Sequence, residues 1–400
     1  MKKSSDRLGS GLAVLAAGLL TGQWILLHFC HAHLPVPWNA LLPGVAIFGA
    51  AFLLSWAAEL AQLEIPQALA LAILALIAVL PEYAVDMYFA WKAGKDPSYI
   101  AFATANMTGA NRLLIGLGWP TVLLAYWLGC RRKEIHLEPA QGLEIATLFV
   151  ATVYSFLIPL KGTISLVDTV FFLTLFVIYM VCASRSHHVE PELGGPSEWI
   201  AQWRVPFRRL AMVFFFLLSG YAIFLAAKPF AEGLLEVGRT WGVEEFLLVQ
   251  WLAPLASESP EFIVAILFAL RASAGTSLGT LVSSKVNQWT LLIGMLPLAY
   301  CISAGHPGAM HLDARQVEEI FLTSAQSFFA VSVLSNFRFS LAEAISLLVL
   351  FSAQMVVPST AFRYIFAGLY LGLTAFLLLG RPKNRRAVVS LLKTGWRPPH

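Results

Sequence analysis

The sequence predicts an all-α, polytopic membrane protein with two inverted five-helix repeats and one additional helix at each end. Three observations predict this fold. Stretches of roughly 20 apolar residues recur along the whole chain. Only 12% of the residues are charged, against about 25% in an ordinary soluble domain. Finally, a proline followed by an acid occurs in two apolar stretches, at Glu82 and at Glu261. The stretches are too long and too uniformly apolar for the alternating strands of a membrane barrel.

The hydropathy pattern predicts twelve membrane-spanning helices. Their predicted positions are 11–30, 41–61, 67–92, 98–127, 143–160, 166–184, 209–231, 244–271, 276–303, 316–336, 341–357 and 360–380. Lysine and arginine are concentrated in the segments that face the cytoplasm if both chain ends do, which favours an N-in, C-in topology in the cell (plasma or inner) membrane. A retained first helix is favoured over a cleaved signal peptide, because the apolar run continues to Cys30 with no Ala-x-Ala site after it.

The longest polar break, from Ser184 to Arg208, divides the chain into two halves. We therefore expect five segments. They are an additional N-terminal helix (1–40), a first repeat half (41–184), a cytoplasmic linker (185–208), a second repeat half (209–357), and a C-terminal helix with a basic tail (358–400).

Composition and motifs exclude several function classes. The four cysteines are scattered, which predicts neither a disulfide framework nor a zinc site. A net charge of +4 requires no nucleic-acid partner, since basic residues in a membrane protein mostly report orientation. The sequence contains no His-Glu-x-x-His, and no arrangement of Ser, His and Asp stands out, so we expect a secondary transporter without cofactors rather than an enzyme. The expected partners are inorganic cations and the lipid bilayer, and the oligomeric state stays open.

An internal repeat relates residues 80–116 to residues 259–294. Both copies open on Pro-Glu followed by an aromatic residue, and both close on Leu-Leu-Ile-Gly. Corresponding helices are separated by an odd number of predicted spans, so the second copy is inverted in the membrane. Inverted repeats with a binding site at the bilayer midplane are a recurring plan of transporters.

Depth along the predicted helices places four polar residues near the midplane. Glu82 and Asn106 lie ~12–15 Å from the ends of their helices, close to the centre of a ~30 Å hydrocarbon core. Glu261 and Ser284 lie at the same depth in the second copy. Pro81 and Pro260 each free a backbone carbonyl about one turn earlier. Together these groups predict an all-oxygen site for a hard cation.

Four further polar residues accompany these positions. Glu258 lies one turn before the second Pro-Glu acid, on the same helix face. Asp86 lies one turn beyond the first, where it lines an access path or pairs with Arg112. Lys285 forms a structural salt bridge or takes part in ion coupling. Asn287 serves either as a ligand or as an interhelical hydrogen-bonding group.

These motifs resemble the cation/calcium exchanger superfamily, which includes the sodium/calcium exchangers. That family carries Gly-Thr-Ser-Leu-Pro-Glu on one helix of each repeat and Gly-Asn-x-x-Gly-Ser-Asn on the next. Residues 80–82 and 106–111 resemble the first repeat, and residues 256–261 resemble the second. The resemblance implies alternating access, with Glu82 and Glu261 as the principal cation ligands and Asn106 beside them. It also implies that Ser257 replaces a ligating threonine.

The chain departs from the family pattern at three places. Ala78-Val79 replaces the first Thr-Ser pair, Glu258 replaces a serine, and Lys285 introduces a cation. Our leading hypothesis is a secondary antiporter that exchanges Ca²⁺ or another cation for Na⁺ or H⁺. The alternative is a transporter-derived, non-transporting membrane sensor or scaffold, because the departures at Ala78-Val79 and Lys285 both weaken a cation site.

Overall fold

A computed structural model describes residues 2–31, 34–64, 79–185, 193–270, 273–356, 359–380 and 382–396. The described chain is almost entirely helical. Its helices are α1 (Lys2–Phe29), α2 (Trp38–Ala61), α3 (Leu80–Ala93), α4 (Ile100–Leu113), α5 (Trp119–Cys130), α6 (Gly142–Ser155), α7 (Leu157–Lys161), α8 (Leu166–Ala183), α9 (Pro196–Ala201), α10 (Val205–Trp241), α11 (Glu245–Leu270), α12 (Ala274–Asn287), α13 (Ile293–Ala304), α14 (Ala314–Leu334), α15 (Leu341–Val356), α16 (Thr360–Gly380) and α17 (Pro382–Thr394).

Four short strands form two antiparallel ladders. The strands are β1 (Glu134–His136), β2 (Thr163–Ser165), β3 (Ala309–His311) and β4 (Arg338–Ser340). Ile135 of β1 lies opposite Phe339 of β4, and Ile164 of β2 lies opposite Met310 of β3. Each ladder therefore joins a loop of the first sequence half to a loop of the second.

Ten helices in the described ranges are long and apolar enough to span a membrane. They correspond to ten of the twelve predicted spans. The eleventh predicted span, 341–357, is the shorter apolar helix α15. The third, 67–92, is described only from residue 79 onward, where α3 begins at Leu80. The predicted fold class, an all-α membrane protein built on inverted repeats, is confirmed.

The chain forms two compact units. The first comprises Met1–Tyr88 with His188–Glu261, and the second comprises Phe89–His187 with Phe262–His400. Each unit thus draws on both sequence halves. The five predicted sequence segments stay a prediction, although the linker at 185–208 contains the short helix α9.

In the first unit, helices α2 and α10 pack closely because small residues line their contact. A β-carbon added at Gly44 of α2 would lie 2.8 Å from a ring carbon of Phe230 on α10. Likewise, one added at Gly233 of α10 would lie 2.7 Å from the carbonyl oxygen of Asn39. Helix α1 joins this pair, since the indole nitrogen of Trp24 donates to the carbonyl oxygen of Leu225 at 3.3 Å. Close approach through small residues is typical of helix pairs in membranes.

The second unit contains both copies of a kinked helical segment. In the first copy, α4 has 14 residues, the π-helical turn Leu114–Gly118 has 5 and α5 has 12. In the second, α12, the turn Gln288–Leu292 and α13 have the same three lengths. Turns of π-helix inside longer helices are frequent at functional sites. The repeat found in the sequence therefore extends to the backbone, and α4 and α12 are candidates to carry functional residues.

Candidate cation-binding site

The first unit buries two acids on α3. Glu82 and Asp86 are 3% and 0% exposed, and their four-residue spacing places them on one helix face. Helix α3 ends at Ala93, so Glu82 lies ~16 Å from that end, close to the predicted depth. Ala78 and the carbonyl predicted to be freed near Ile77 lie outside the described residues.

Helix α11 of the same unit places Ser257, Glu258 and Glu261 on two successive turns. Ser257 and Glu258 are buried, and Glu261 is half-buried. The hydroxyl group of Ser257 donates to the carbonyl oxygens of Ala253 and Pro254, at 3.2 and 3.3 Å. Because a hydroxyl group has one hydrogen and two lone pairs, this arrangement leaves its oxygen able to bind a cation. The helix continues through Pro260, whose missing N–H deprives a carbonyl one turn earlier of its partner.

Asn106 of the second unit is a buried amide without a hydrogen-bond partner among the described residues. Its side chain is 1% exposed, and neither its oxygen nor its nitrogen bonds to any residue that the structure describes. Neighbouring polar side chains on α4 differ. Thr108 donates to the carbonyl oxygen of Thr104 at 2.7 Å, and Asn111 donates to that of Met107 at 2.7 Å. An unsatisfied buried polar group costs about 1–3 kcal/mol, so Asn106 is suited to bind a ligand that enters from outside the helix.

Lys285 of α12 is fully buried in the second unit. Its ammonium group donates to the side-chain oxygen of Asn111 at 2.5 Å and to the backbone oxygen of that residue at 3.3 Å. The ammonium nitrogen also lies 4.3 Å from the ring centroid of Trp289, at a cation–π distance. These contacts fix the position of the charge, and they join α12 to α4.

The two copies place their polar residues on matching helix faces. When the copies are aligned by the starts of α4 and α12, Asn111 corresponds to Lys285. When they are aligned by Leu-Leu-Ile-Gly, Asn106 corresponds instead to Ser284. The two alignments differ by about one helical turn, so they preserve the face. Ser284 and Asn287 are 6% and 3% exposed, and their predicted roles as ligands stay predictions.

The predicted ligands divide between the two units. The carboxylates and Ser257 belong to the first unit, whereas Asn106, Ser284 and Asn287 belong to the second. Within the described residues, no group of three or more His, Cys, Asp or Glu side chains is arranged to hold a metal ion. Amide, hydroxyl and backbone oxygens suit hard cations.

Sequence reasoning missed a buried ion-pair network in the second unit. The guanidinium group of Arg112 lies 2.5 Å from Glu319 of α14. Arg363 of α16 contacts Glu319 at 2.8 Å and Glu318 at 3.0 Å. The available signal was the pair of acids inside an apolar helix, which is rare without a partner or a function. The network attaches the additional C-terminal helix α16 to α14, and it provides Arg112 with a carboxylate partner.

Comparisons with known proteins place this architecture among ion exchangers. A family model described as sodium/calcium exchanger protein matches residues 38–185 and 211–359. The crystal structure of the H⁺/Ca²⁺ exchanger CAX is 45% identical in sequence. The match covers 96% of this chain and 98% of that one, with a TM-score of 0.91. A comparison with curated proteins found no match.

More distant structures share the fold alone. A structure of the sodium–calcium exchanger NCX_Mj is 17% identical and has a TM-score of 0.53, covering 80% of this chain and 96% of that one. The structure of native YfkE is 13% identical and has a TM-score of 0.60, covering 90% and 99%. The fold described above is therefore retained at very low sequence identity.

Proposed function

Because this chain belongs to the sodium/calcium exchanger family, we propose that it is a secondary antiporter that exchanges Ca²⁺ for H⁺ by alternating access. Its family and its helices identify it as an integral membrane protein of the ion-exchanger class. The choice of Ca²⁺ and H⁺ is supported by its similarity to a protein described as an H⁺/Ca²⁺ exchanger over nearly the full length of both chains. We also propose that it resides in the cell membrane, with both termini cytoplasmic.

The buried ammonium group of Lys285 is the observation that favours H⁺ over Na⁺. It is held at 2.5 Å by an amide oxygen, a group that also suits Na⁺. A fixed positive charge in a poorly polarisable environment repels a second monovalent ion nearby. A proton differs from Na⁺ because it bonds directly to a carboxylate oxygen and needs no shell of several ligands. We infer that Lys285 takes the place of one bound Na⁺.

The proposed ligand set follows from burial and donor chemistry. Glu82 and Glu261 are the principal ligands, and Glu258 adds a third carboxylate. Asn106 contributes the amide oxygen that has no partner among the described residues. Ser257, Ser284 and Asn287 supply further oxygens, while Asp86 lines the access path.

The proposal is tested by transport in reconstituted vesicles. Purified protein is placed in liposomes, and Ca²⁺ uptake is measured with an outward H⁺ gradient or an outward Na⁺ gradient. We expect uptake with the H⁺ gradient, accompanied by H⁺ release, and none with the Na⁺ gradient. Glu82→Gln and Glu261→Gln should abolish it. Glu245→Gln removes an acid of α11 that is paired with Arg239 at the helix start, and serves as the control.

Each contrary result has a defined meaning. Equal uptake with the Na⁺ gradient would overturn the assignment of H⁺. Full uptake in the Glu82 and Glu261 variants would overturn the site. Absence of Ca²⁺ flux with either gradient would favour the alternative, a non-transporting sensor or scaffold.

A further inference from the structure

A tyrosine in the second unit links a carboxylate on one helix to a hydroxyl group on another. The phenol oxygen of Tyr179, on α8, lies 3.4 Å from the carboxylate oxygen Oε1 of Glu144, on α6. The same phenol oxygen lies 3.1 Å from the hydroxyl oxygen of Ser283, on α12. Tyr179 is 5% exposed, and Glu144 and Ser283 are half-buried.

The hydrogen-bond directions in this chain follow from the number of hydrogens available. An ionised carboxylate only accepts, so Tyr179 donates its single hydrogen to Glu144. The phenol oxygen then accepts from Ser283, which donates its own hydrogen. The three groups are therefore ordered from Ser283, through Tyr179, to Glu144.

The three groups connect the first turn of α6 to the interior of α12. Glu144 lies in the first turn of α6. Ser283 lies ~14 Å along α12 from its start at Ala274 and two residues before Lys285. The second carboxylate oxygen of Glu144, Oε2, is buried and has no hydrogen-bond partner among the described residues. It is thus available to hold a proton or to transfer one.

We propose that Ser283, Tyr179 and Glu144 form a proton relay between the transport site and the N-terminal end of α6. The relay rests on the proposed exchange of Ca²⁺ for H⁺. A proton leaving the site binds the Ser283 oxygen, and the original Ser283 hydrogen moves to Tyr179. The original Tyr179 hydrogen then moves to Glu144. Ser283 and Tyr179 end neutral, and Glu144 gains one proton, which it releases at the end of α6.

The distance between Tyr179 and Glu144 must shorten before a proton can pass between them. At 3.4 Å it exceeds the usual 2.5–3.0 Å range for hydrogen bonds between oxygens. Contacts that transfer protons are often long in a resting state and shorten in the working one. Small shifts of α8 against α6 would therefore open and close the relay.

Several other charged groups near α6 have partners of their own. The elements packed against α6 carry these titratable or charged groups: Lys161 on α7, Asp168, Tyr179 and Cys182 on α8, Lys285 on α12, Arg315, Glu318 and Glu319 on α14, and Arg385, Arg386 and Lys393 on α17. Asp168 pairs with Lys161. The two α14 acids bind Arg363. Lys285 binds Asn111. The basic residues of α17 are exposed. Among these groups, Tyr179 is the one shown hydrogen-bonded to Glu144.

The same two helices supply a matched control. Tyr154 of α6 donates to Asp168 of α8 at 3.0 Å, which forms a second phenol–carboxylate pair. This pair includes no described hydroxyl group from α12. Tyr154→Phe therefore removes the same chemical group from the same helix pair without interrupting the proposed relay.

The test measures H⁺-coupled Ca²⁺ transport in vesicles as a function of pH. Tyr179→Phe, Glu144→Gln and Ser283→Ala should each slow exchange by about tenfold or more and flatten its pH profile, because a positioned proton-transfer group contributes at least that much. Ser283→Thr retains the hydroxyl group and should restore the rate. Tyr154→Phe should stay within about twofold of the parent. Stabilisation against heat by Ca²⁺ should be unchanged in all these variants.

The outcomes separate the relay from the exchange itself. If the parent protein shows no H⁺-coupled Ca²⁺ flux, the proposed function fails and the relay fails with it. If the parent exchanges but the three variants keep its rate and pH profile, the relay alone is overturned. Slower exchange with an unchanged pH profile, or an equal loss in Tyr154→Phe, would also overturn the relay and indicate a structural role.

Discussion

The two copies of the kinked segment share a backbone plan but treat buried charge differently. Each copy buries one cation: Arg112 in α4 is 3% exposed, and Lys285 in α12 is 0% exposed. Arg112 lies 2.5 Å from a carboxylate, that of Glu319. Lys285 lies 2.5 Å from an amide oxygen and 4.3 Å from an indole ring centroid. The two copies therefore share a backbone plan, whereas the groups shown to contact their buried cations differ in charge.

This difference assigns the two cations to different tasks. Carboxylates around Arg112 and Arg363 compensate the charge, and they join α4 and α16 to α14. Asn111 and Trp289, which contact Lys285 within its unit, are neutral groups that orient its charge. We therefore predict that Arg112 stabilises the fold, whereas Lys285 takes the place of a bound Na⁺, as proposed above. Four predictions examine this contrast, from the largest expected effect to the smallest.

Breaking the Arg112 network should give the largest effect. Glu319→Gln removes the carboxylate that both Arg112 and Arg363 contact, and it leaves buried charge without its partner. We expect a loss of about 3–5 kcal/mol in the free energy of unfolding. Thermal unfolding in detergent measures it. In the double variant Arg112→Met/Glu319→Leu, which removes both charges, much of the loss should be recovered. A Glu319→Gln protein as stable as the parent would refute a structural role for Arg112.

Removing the Lys285 charge should alter ion selectivity more than stability. In Lys285→Met the fixed cation is lost, so Na⁺ should now stabilise the protein against heat and compete with Ca²⁺ transport. We expect the affinity for Na⁺ to rise by about tenfold or more, since 1.4 kcal/mol corresponds to tenfold. Lys285→Arg retains the charge and is the control. If Na⁺ neither stabilises Lys285→Met against heat nor competes with its Ca²⁺ transport, the ammonium group does not replace an ion.

Two asparagines on α4 allow a structural role and a ligand role to be compared within one helix. Asn111 binds Lys285, so Asn111→Ala should cost about 1–3 kcal/mol of stability by leaving a buried donor unsatisfied. Asn106 has no described partner, so Asn106→Ala should cost less than about 1 kcal/mol and instead weaken Ca²⁺ binding. Thermal unfolding with and without Ca²⁺ distinguishes the two. The reverse ranking would contradict the assignment of Asn106 as a ligand.

The smallest effect concerns the starts of the two segments. Asp96 accepts a hydrogen bond from the backbone N–H of Ser98 at 3.0 Å, whereas Ser273 makes no side-chain cap before α12. Hydrogen bonds from the Ser98 hydroxyl and N–H groups hold the pKa of Asp96 below its ordinary value of 3.8. This stabilisation is present above that value, and it is lost as pH falls through the lowered pKa.

Substitution of Asp96 should remove that pH dependence. In Asp96→Asn, the melting temperature should fall less steeply than in the parent as pH decreases below about 4. Ser273→Ala, at the uncapped start of α12, should keep the slope of the parent. Identical slopes in Asp96→Asn and the parent would show that this cap contributes nothing measurable.

The sequence predicted features that depend on local pattern. The lengths of the apolar runs predicted the helices. The repeated Pro-Glu motif predicted that Glu82 is buried and that two segments of the chain match. Asn106 stood out because it lies in the next apolar stretch at a depth that matches that of Glu82. Each of these signals lies within a few turns of one helix, where spacing alone determines which face a residue occupies.

The features that the sequence did not predict depend on distant partners. Arg112 and Glu319 are separated by more than half of the chain, so helix spacing carries no information about their contact. The contact between Lys285 and Asn111 joins the two copies, and the ambiguous alignment of the second polar motif concealed it. Glu144 lies at the edge of a predicted span, where an acid usually faces water. Its link to Ser283 runs through a third helix.

The two short β-ladders restrict how the second unit can deform. β1 pairs with β4 and β2 pairs with β3, so each sequence half supplies one strand to each ladder. Sliding one half past the other within this unit would break backbone hydrogen bonds in both ladders. The two sequence halves are thus joined by backbone hydrogen bonds at two separate places. Any strain that arises within this unit must be absorbed by bending of its helices, and the π-helical turns after α4 and α12 are suited to absorb it.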